Sequence, residues 1–227
     1  MTQTNAIAEL KIVELKPKDF DRAADLLTEA FYHNPAHVYI CADENTRTRL
    51  LKWALKANLK LNLAPPKAIG RSFALAEADR PSGVRQIEAM GFWHPPQRPS
   101  PGLVNKLQSG WFIRPQKFDK LSYQRLAEVM GAMNQIEETV LDGKQAWFLN
   151  NMAVAEELRG TGIGTKVLEN QLKSAIDPSG FPAILMTQRA ENVKFYRRLG
   201  FEIVEESTIG TGKYAFTNWC MIRPSVS

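Results

Sequence analysis

A strand-like run, Ala146-Trp147-Phe148-Leu149-Asn150-Asn151-Met152-Ala153-Val154, gives way within a few residues to Arg159-Gly160-Thr161-Gly162-Ile163-Gly164-Thr165 and then to a helical stretch, Lys166–Ile176. Alternating glycines between a strand and a helix place unhindered backbone N–H groups at the positive end of a helix dipole. A pyrophosphate suits that geometry, because a Cβ would hold its oxygens off the backbone, and Arg159 adds a charge-assisted contact. Other readings of the glycines stay open at this point. A P-loop ends Gly-Lys-Ser/Thr, where this chain has Gly164-Thr165-Lys166, and the dinucleotide fingerprint Gly-x-Gly-x-x-Gly is not matched by the spacing of Gly160, Gly162 and Gly164. A glycine turn can also simply join a strand to a helix.

The surrounding chain reads as one domain with one irregular insertion, without repeats or low-complexity stretches. Residues 1–8 read as a tail and 9–224 as the domain. Leu10–Leu15 is a strand. After Pro17, the residues Phe20, Ala23, Ala24, Leu27, Ala30 and Phe31 recur at helical spacing up to Asn34-Pro35, and a second helix runs from Thr46 to Leu63 before Pro65-Pro66. Strands Ser72–Glu77 and Val84–Trp93 form a hairpin across the turn-rich 78–83. The insertion, about 95–142, holds five prolines between Pro95 and Lys117. A helix over Leu121–Val140 follows, with Leu126, Val129, Met130, Met133, Ile136 and Val140 on one face. After the glycine turn come strand Ala183–Thr187, helix Glu191–Leu199, strand Phe201–Glu206 and a last strand near Tyr214–Ile222. The fold class is therefore α/β (α+β), a mixed, mostly antiparallel central sheet flanked by helices.

Composition narrows the function. With 227 residues, 44% hydrophobic and 23% charged, the chain buries a core and is too apolar to be disordered. No apolar run approaches the roughly 20 residues of a membrane span, and MTQTNAIAEL lacks a signal peptide's basic start and apolar centre. A cytoplasmic protein without membrane contact is expected. Cys41 and Cys220 have no metal-ligand spacing, so neither a metal site nor a disulfide framework is expected. The net charge of +5 is spread along the chain rather than gathered in a basic run, which argues against a nucleic-acid partner.

A second motif, Glu191-Asn192-Val193-Lys194-Phe195-Tyr196-Arg197-Arg198-Leu199-Gly200-Phe201, follows Gly164 by 27 residues. Together with Arg159-Gly160-Thr161-Gly162-Ile163-Gly164 it resembles the GNAT superfamily of N-acetyltransferases. That family's cofactor signature is Arg/Gln-x-x-Gly-x-Gly/Ala, and a later helix ends in an Asn…Tyr-x-x-Leu-Gly-Phe pattern. To one member of that family the resemblance extends upstream to Ala30-Phe31 with Asn34-Pro35-Ala36, and downstream to Trp219-Cys220-Met221. It implies an acetyl-CoA cofactor. Met152, Ala153 and Val154 would offer backbone groups to the pantetheine arm along a splayed strand, and Gly160, Thr161, Gly162, Ile163, Gly164 and Thr165 would hold the pyrophosphate with help from Arg159. Asn192 would bind the pantetheine, and Tyr196 would sit at the thioester sulfur as the catalytic residue.

The chemistry follows from the groups involved. A neutral amine attacks a thioester carbonyl, and the departing thiolate gains from a proton donor such as a phenol, whose ordinary pKa is about 10. Glu88 and His94 are candidates for the general base, and Phe31, Tyr32, Trp93 and His94, with Trp111 and Phe112 of the insertion, for the acceptor site. The expected activity is acetyl transfer to a primary amine of a small molecule by a monomer or homodimer. The alternatives are a protein amine as acceptor, or a non-catalytic module that binds CoA thioesters.

Overall fold

The computed structural model describes residues 10–63, 70–77, 86–97, 106–107, 109 and 119–226. Strand β1 (Leu10–Glu14) leads through a short turn at Pro17–Asp19 into helix α1 (Phe20–Phe31). Lys16 N–H donates to the Asp19 carboxylate at 2.9 Å, which fixes the entry. Phe20, Ala23, Ala24 and Leu27 are all buried, and the two alanines bring α1 close to the sheet, where it packs on Ala74, Ala76, Met90, Phe92 and Ala153. The helix stops at Phe31, a few residues short of the Asn34-Pro35 at which its sequence predicts an end. A short helix α2 (Pro35–Ile40) then begins, because Pro35 suits a first helical turn and the Asn34 side chain accepts the Ala36 N–H. Helix α3 (Glu44–Leu63) packs beside α1 and completes that layer.

Strands β2 (Arg71–Glu77) and β3 (Ile87–His94) pair antiparallel. The expected hairpin turn at 78–83 and most of the proline-rich insertion, including Trp111 and Phe112, lie outside the described residues, as does the tail at 1–8. Helix α4 (Lys120–Leu141) precedes β4 (Trp147–Val154), helix α5 (Ile163–Gln171), β5 (Ala183–Thr187), helix α6 (Ala190–Arg197), β6 (Glu202–Ile209) and β7 (Phe216–Arg223). The seven strands form one sheet in the order β1-β2-β3-β4-β5-β7-β6, antiparallel throughout except for β4 and β5. Helices α5 and α6 cover one face, around Leu149, Leu168, Leu172, Leu199 and Phe201. Helices α1 and α3 cover the other face over the first strands, and α4 covers it near Ile184 and Cys220. With helices on both sides, every residue of β3 is buried.

Two details depart from the sequence reading. Met130 is 46% exposed rather than part of the apolar face of α4. Leu126, Val129, Met133, Ile136 and Val140 recur at alternating steps of three and four, and Met130, one position round from Val129, falls at the rim of that stripe. Helix α5 starts earlier than Lys166 because Gly162 itself caps it, and its last turn, Leu172–Ile176, widens to a π-helix. There Gln171, fully buried, accepts from Trp93 Nε1 and donates to the Phe73 carbonyl.

Candidate active site

The opening in the sheet lies between β4 and β5. They pair only through Trp147↔Ala183, Phe148↔Ile184 and Leu149↔Leu185, after which β4 continues to Val154 bonded to β3 alone. A β-bulge sits where the strands part. Phe92 faces Asn151 while the next residue, Trp93, faces Leu149, so Asn150 is extra. A bulge bends its strand and re-aims the side chains beyond it. Here Met152 and Val154 pack toward α5 while Ala153 faces α1. Past Leu149, β4 therefore presents backbone polar groups with no strand on its β5 side.

The glycine turn closes the lower end of this opening. Gly160 and Gly162 have φ of 78° and 85°, left-handed values that favour glycine, and a Cβ at either would meet nothing within 4 Å. The turn thus keeps an open face of bare backbone. Arg159 Nε donates to the Val154 carbonyl at 3.2 Å and Thr161 Oγ1 to the Leu158 carbonyl at 2.6 Å, holding the turn in shape. The first N–H groups of α5 have no helical partner and point out of the helix start. Gly164 meets the strand closely: a Cβ there would lie 3.2 Å from Val154 Cγ2.

One cavity of about 540 Å³ joins these parts. Met152, Ala153, Val154, Arg159, Gly160, Gly162, Gly164 and Thr165 line it, together with Asn192, Tyr196 and Phe31. Thr161 and Ile163 belong to the same turn without lining the cavity. The Ile163 side chain packs into the core with Leu75, Ala89 and Val167, leaving only its backbone to the turn. Asn192 Nδ2 donates to Thr187 Oγ1 at 3.1 Å, tying α6 to the end of β5. Tyr196 is 8% exposed with its ring against Phe195 and Phe201, and burial pushes its phenol above the ordinary value. Arg223 donates through Nε to the Leu199 carbonyl and pairs with Asp177, which fixes the end of α6 and so the Tyr196 ring.

The other acceptor candidates separate. Phe31 lines the cavity and stacks on His37, with ring centroids 5.2 Å apart. Tyr32 lies under the Arg47 guanidinium instead, 5.0 Å from its ring centroid. Trp93 is a correction: it is fully buried on the α5 face, bonded to Gln171 and packed with Trp147 and Leu168, and cannot meet a substrate. Glu88 is the extra residue of a second bulge, since Leu75 faces Ala89 and Ala76 faces Ile87, and its carbonyl accepts the Ala155 N–H. His94 is buried between Phe92 and Phe148. Neither is among the described residues of the cavity wall.

Several cavity residues escaped the sequence reading. Arg189 and Arg198 flank the Asn192–Tyr196 motif, and with Arg159 they outnumber Glu191, which Arg189 pairs with. That excess of positive charge suits an anionic ligand. Their signal was present as basic residues next to the motif. Asn34 also lines the cavity, but in the sequence it marked only a helix end. A free strand edge, a turn of open backbone and arginines at the rim are the donor set that coenzyme A requires, and the residues present fit it.

Comparison with known proteins agrees with this geometry. Residues 125–203 match the family model described as "Acetyltransferase (GNAT) domain". A curated relative, an uncharacterized N-acetyltransferase of Schizosaccharomyces pombe, is 23% identical over 196 residues, covering 82% of this chain and 72% of its own. The solved structure of "histone acetyltransferase HPA2 and related acetyltransferase" from Corynebacterium glutamicum superposes with a TM-score of 0.61 at 17% identity, covering 96% of this chain and 98% of that one. A PaiA N-acetyltransferase from Thermoplasma acidophilum, solved with coenzyme A, gives a TM-score of 0.53 at 12% identity over 95% of this chain and 98% of its own. The fold is the GNAT fold of these solved acetyltransferases, and residues 125–203 lie within it. The relatives named here are acetyltransferases, one of them solved with coenzyme A.

Proposed function

We propose that the protein acetylates a primary amine of a small molecule, and that the residues gathered around the β4–β5 opening carry the reaction. The supporting observation is that one cavity holds the free edge of β4, the open glycine turn, Tyr196 and the apolar wall of Phe31. Met152, Ala153 and Val154 bind the pantetheine arm through their backbone, as an added strand would be bound. The turn from Gly160 to Thr165 holds the pyrophosphate with Arg159, and Asn192 orients the arm. When bound, the cofactor supplies a thioester whose carbonyl carbon accepts the amine nitrogen.

Tyr196 keeps its proton at neutral pH, since burial holds the phenol above its ordinary value. Its Oη–H therefore donates to the sulfur as the C–S bond breaks and the C–N bond forms. The nitrogen releases its proton to solvent and the phenol is reprotonated from solvent. General acid assistance of this kind contributes roughly 10²–10⁴-fold. Phe31 excludes water from the acceptor side and orients an apolar substrate body.

The chain resembles puromycin N-acetyltransferase at Ala146–Leu149, Phe195-Tyr196, Leu199–Phe201 and Trp219–Met221. Where that enzyme carries a Glu before the Thr of the strand, this chain has Met186. Met186 packs with Phe148 and Ile184, so an acidic group is replaced by an apolar one. The reading is therefore an amine less cationic or more apolar than puromycin. The test is steady-state kinetics of Tyr196→Phe with a panel of primary amines beginning with puromycin. A fall in kcat of roughly 10²-fold with unchanged acetyl-CoA affinity is expected, and full turnover would refute the donor role.

A further inference from the structure

A chain of side-chain amides, buried at both ends and half-buried at Gln188, starts on the cavity wall, and its orientation can be derived from that end. Asn34 is 4% exposed and lines the cavity. Its Oδ1 lies 3.0 Å from the Ala36 nitrogen, and a backbone N–H can only donate, so this atom is the oxygen. The same oxygen is 3.3 Å from His37 Nδ1, which must then carry a hydrogen. Burial lowers the His37 pKa to about 4, so at neutral pH the ring is uncharged and Nε2 holds the lone pair. With Oδ1 engaged twice, Asn34 Nδ2 is the group that meets Gln188 Oε1, at 3.1 Å. Gln188 is thereby oriented in turn, and its Nε2 donates to Asn218 Oδ1 at 2.8 Å. The chain ends at Asn218 Nδ2, fully buried and without a hydrogen-bond partner among the described residues.

Each amide oxygen in this chain accepts at least one hydrogen, and donor hydrogens are left over. Asn34 Nδ2 has two hydrogens, one of which goes to Gln188, and the amide of Asn218 has two that meet no acceptor among the described residues. Buried polar groups are normally satisfied, so an unspent donor hydrogen of Asn34 on the cavity wall points to a ligand oxygen. Charge does not supply it: Asn34, Gln188 and Asn218 are neutral, and the Glu191 carboxylate on the cavity wall is paired with Arg189.

We infer, resting on the proposed amine acetylation, that Asn34 is a specificity residue whose second Nδ2 hydrogen meets an oxygen of the acceptor substrate. The substrate class is a primary amine that also carries a carbonyl or hydroxyl oxygen. Asn34 and Tyr196 line the same cavity, so one bound substrate can face both. Gln188 and Asn218 are positioning residues. They hold the Asn34 amide so that its carbonyl faces α2 and its donor remains for the ligand. Phe31 beside it gives the substrate an apolar neighbour, which makes phenylalkyl amines suitable probes.

The experiment measures calorimetric affinities of 2-phenylethylamine, L-phenylalaninol and L-phenylalaninamide for the CoA-saturated protein, with acetylation rates of the same amines as a separate readout. At least one oxygen-bearing amine should bind 10-fold or more tightly than 2-phenylethylamine. Asn34→Asp, which keeps the cap on Ala36 and removes the donor, should reduce that preference to less than about 2-fold. Asn34→Ser, which caps and still donates, should retain part of it, and it decides the matter if the Asp variant does not fold. Equal binding of the three amines by the wild-type protein overturns the inference, even if all are acetylated. An unchanged preference in Asn34→Asp also overturns it. So does a 10-fold loss of acetyl-CoA affinity in that variant with the amine ratio intact, which would assign the donor to the cofactor. Oxygen-dependent binding with no acetylated product would instead leave the inference standing and refute the proposed reaction.

Discussion

The two ends of the cavity are built by different means. The proposed cofactor end is made of backbone: the unpaired edge of β4, the left-handed glycines and the start of α5. The proposed acceptor end is made of side chains, with Phe31 beside an Asn34 that meets Gln188 across 154 residues of sequence. Backbone sites depend on local conformation and recur as short motifs. Side-chain sites depend on which residues the sheet order happens to bring together. That difference explains what each end tolerates, and substitutions can test it.

The largest expected effect is at the glycine turn. Gly162→Asp puts a Cβ on a residue with φ of 85° and a carboxylate where the phosphates bind, and should weaken acetyl-CoA by 100-fold or more in calorimetry. An unchanged affinity would mean that the turn only joins a strand to a helix. Tyr196→Phe comes next, with its roughly 10²-fold loss confined to kcat. Because its phenol lies above the ordinary value, the kcat profile should show no loss of activity from Tyr196 ionisation between pH 7 and about 9.5. A fall in that interval that Tyr196→Phe abolishes would contradict the assignment.

A smaller effect is expected on stability. Trp93→Phe leaves the Gln171 carbonyl without its donor in a dry core, at a cost of about 1–3 kcal/mol, measurable by urea unfolding. Its amine KM should stay unchanged, and a raised KM would return Trp93 to the acceptor site. The smallest effect concerns His37. Its folded pKa of about 4 lies below the ordinary 6.5, so the folded state binds fewer protons than the unfolded chain in that interval. Stability from this group is present above pH 6.5 and declines as the pH falls toward 4. The midpoint of thermal unfolding should drop over that range, and less so in His37→Gln.

Much of the fold was legible because its elements are locally consistent. Ala183–Thr187 was read to both ends from a short apolar run, and β1, α1 and α3 were placed within a few residues. The π turn after Gln171 was not, since it widens around contacts to Trp93 and Phe73 that no local pattern encodes. The bulge at Asn150 was equally hidden. It shifts which residues of β4 face α5, and a strict alternation along Ala146–Val154 cannot reveal it. Trp93 and His94 were drawn toward the acceptor site by their place at the end of a strand. Their true surroundings depend on which face of the sheet each occupies, Trp93 toward Gln171 and His94 between Phe92 and Phe148. Asn34 marks only a helix end in the sequence, and the fold places it on the cavity wall with Gln188 beside it.

The most direct test of the account is calorimetric titration of the wild-type protein and Gly162→Asp with acetyl-CoA, with NAD in parallel. The account predicts one-to-one binding of acetyl-CoA by the wild-type protein, none of NAD, and loss of binding in the folded variant. Folded wild-type protein that binds no CoA species, or a variant that binds acetyl-CoA as well as the wild type, would contradict it.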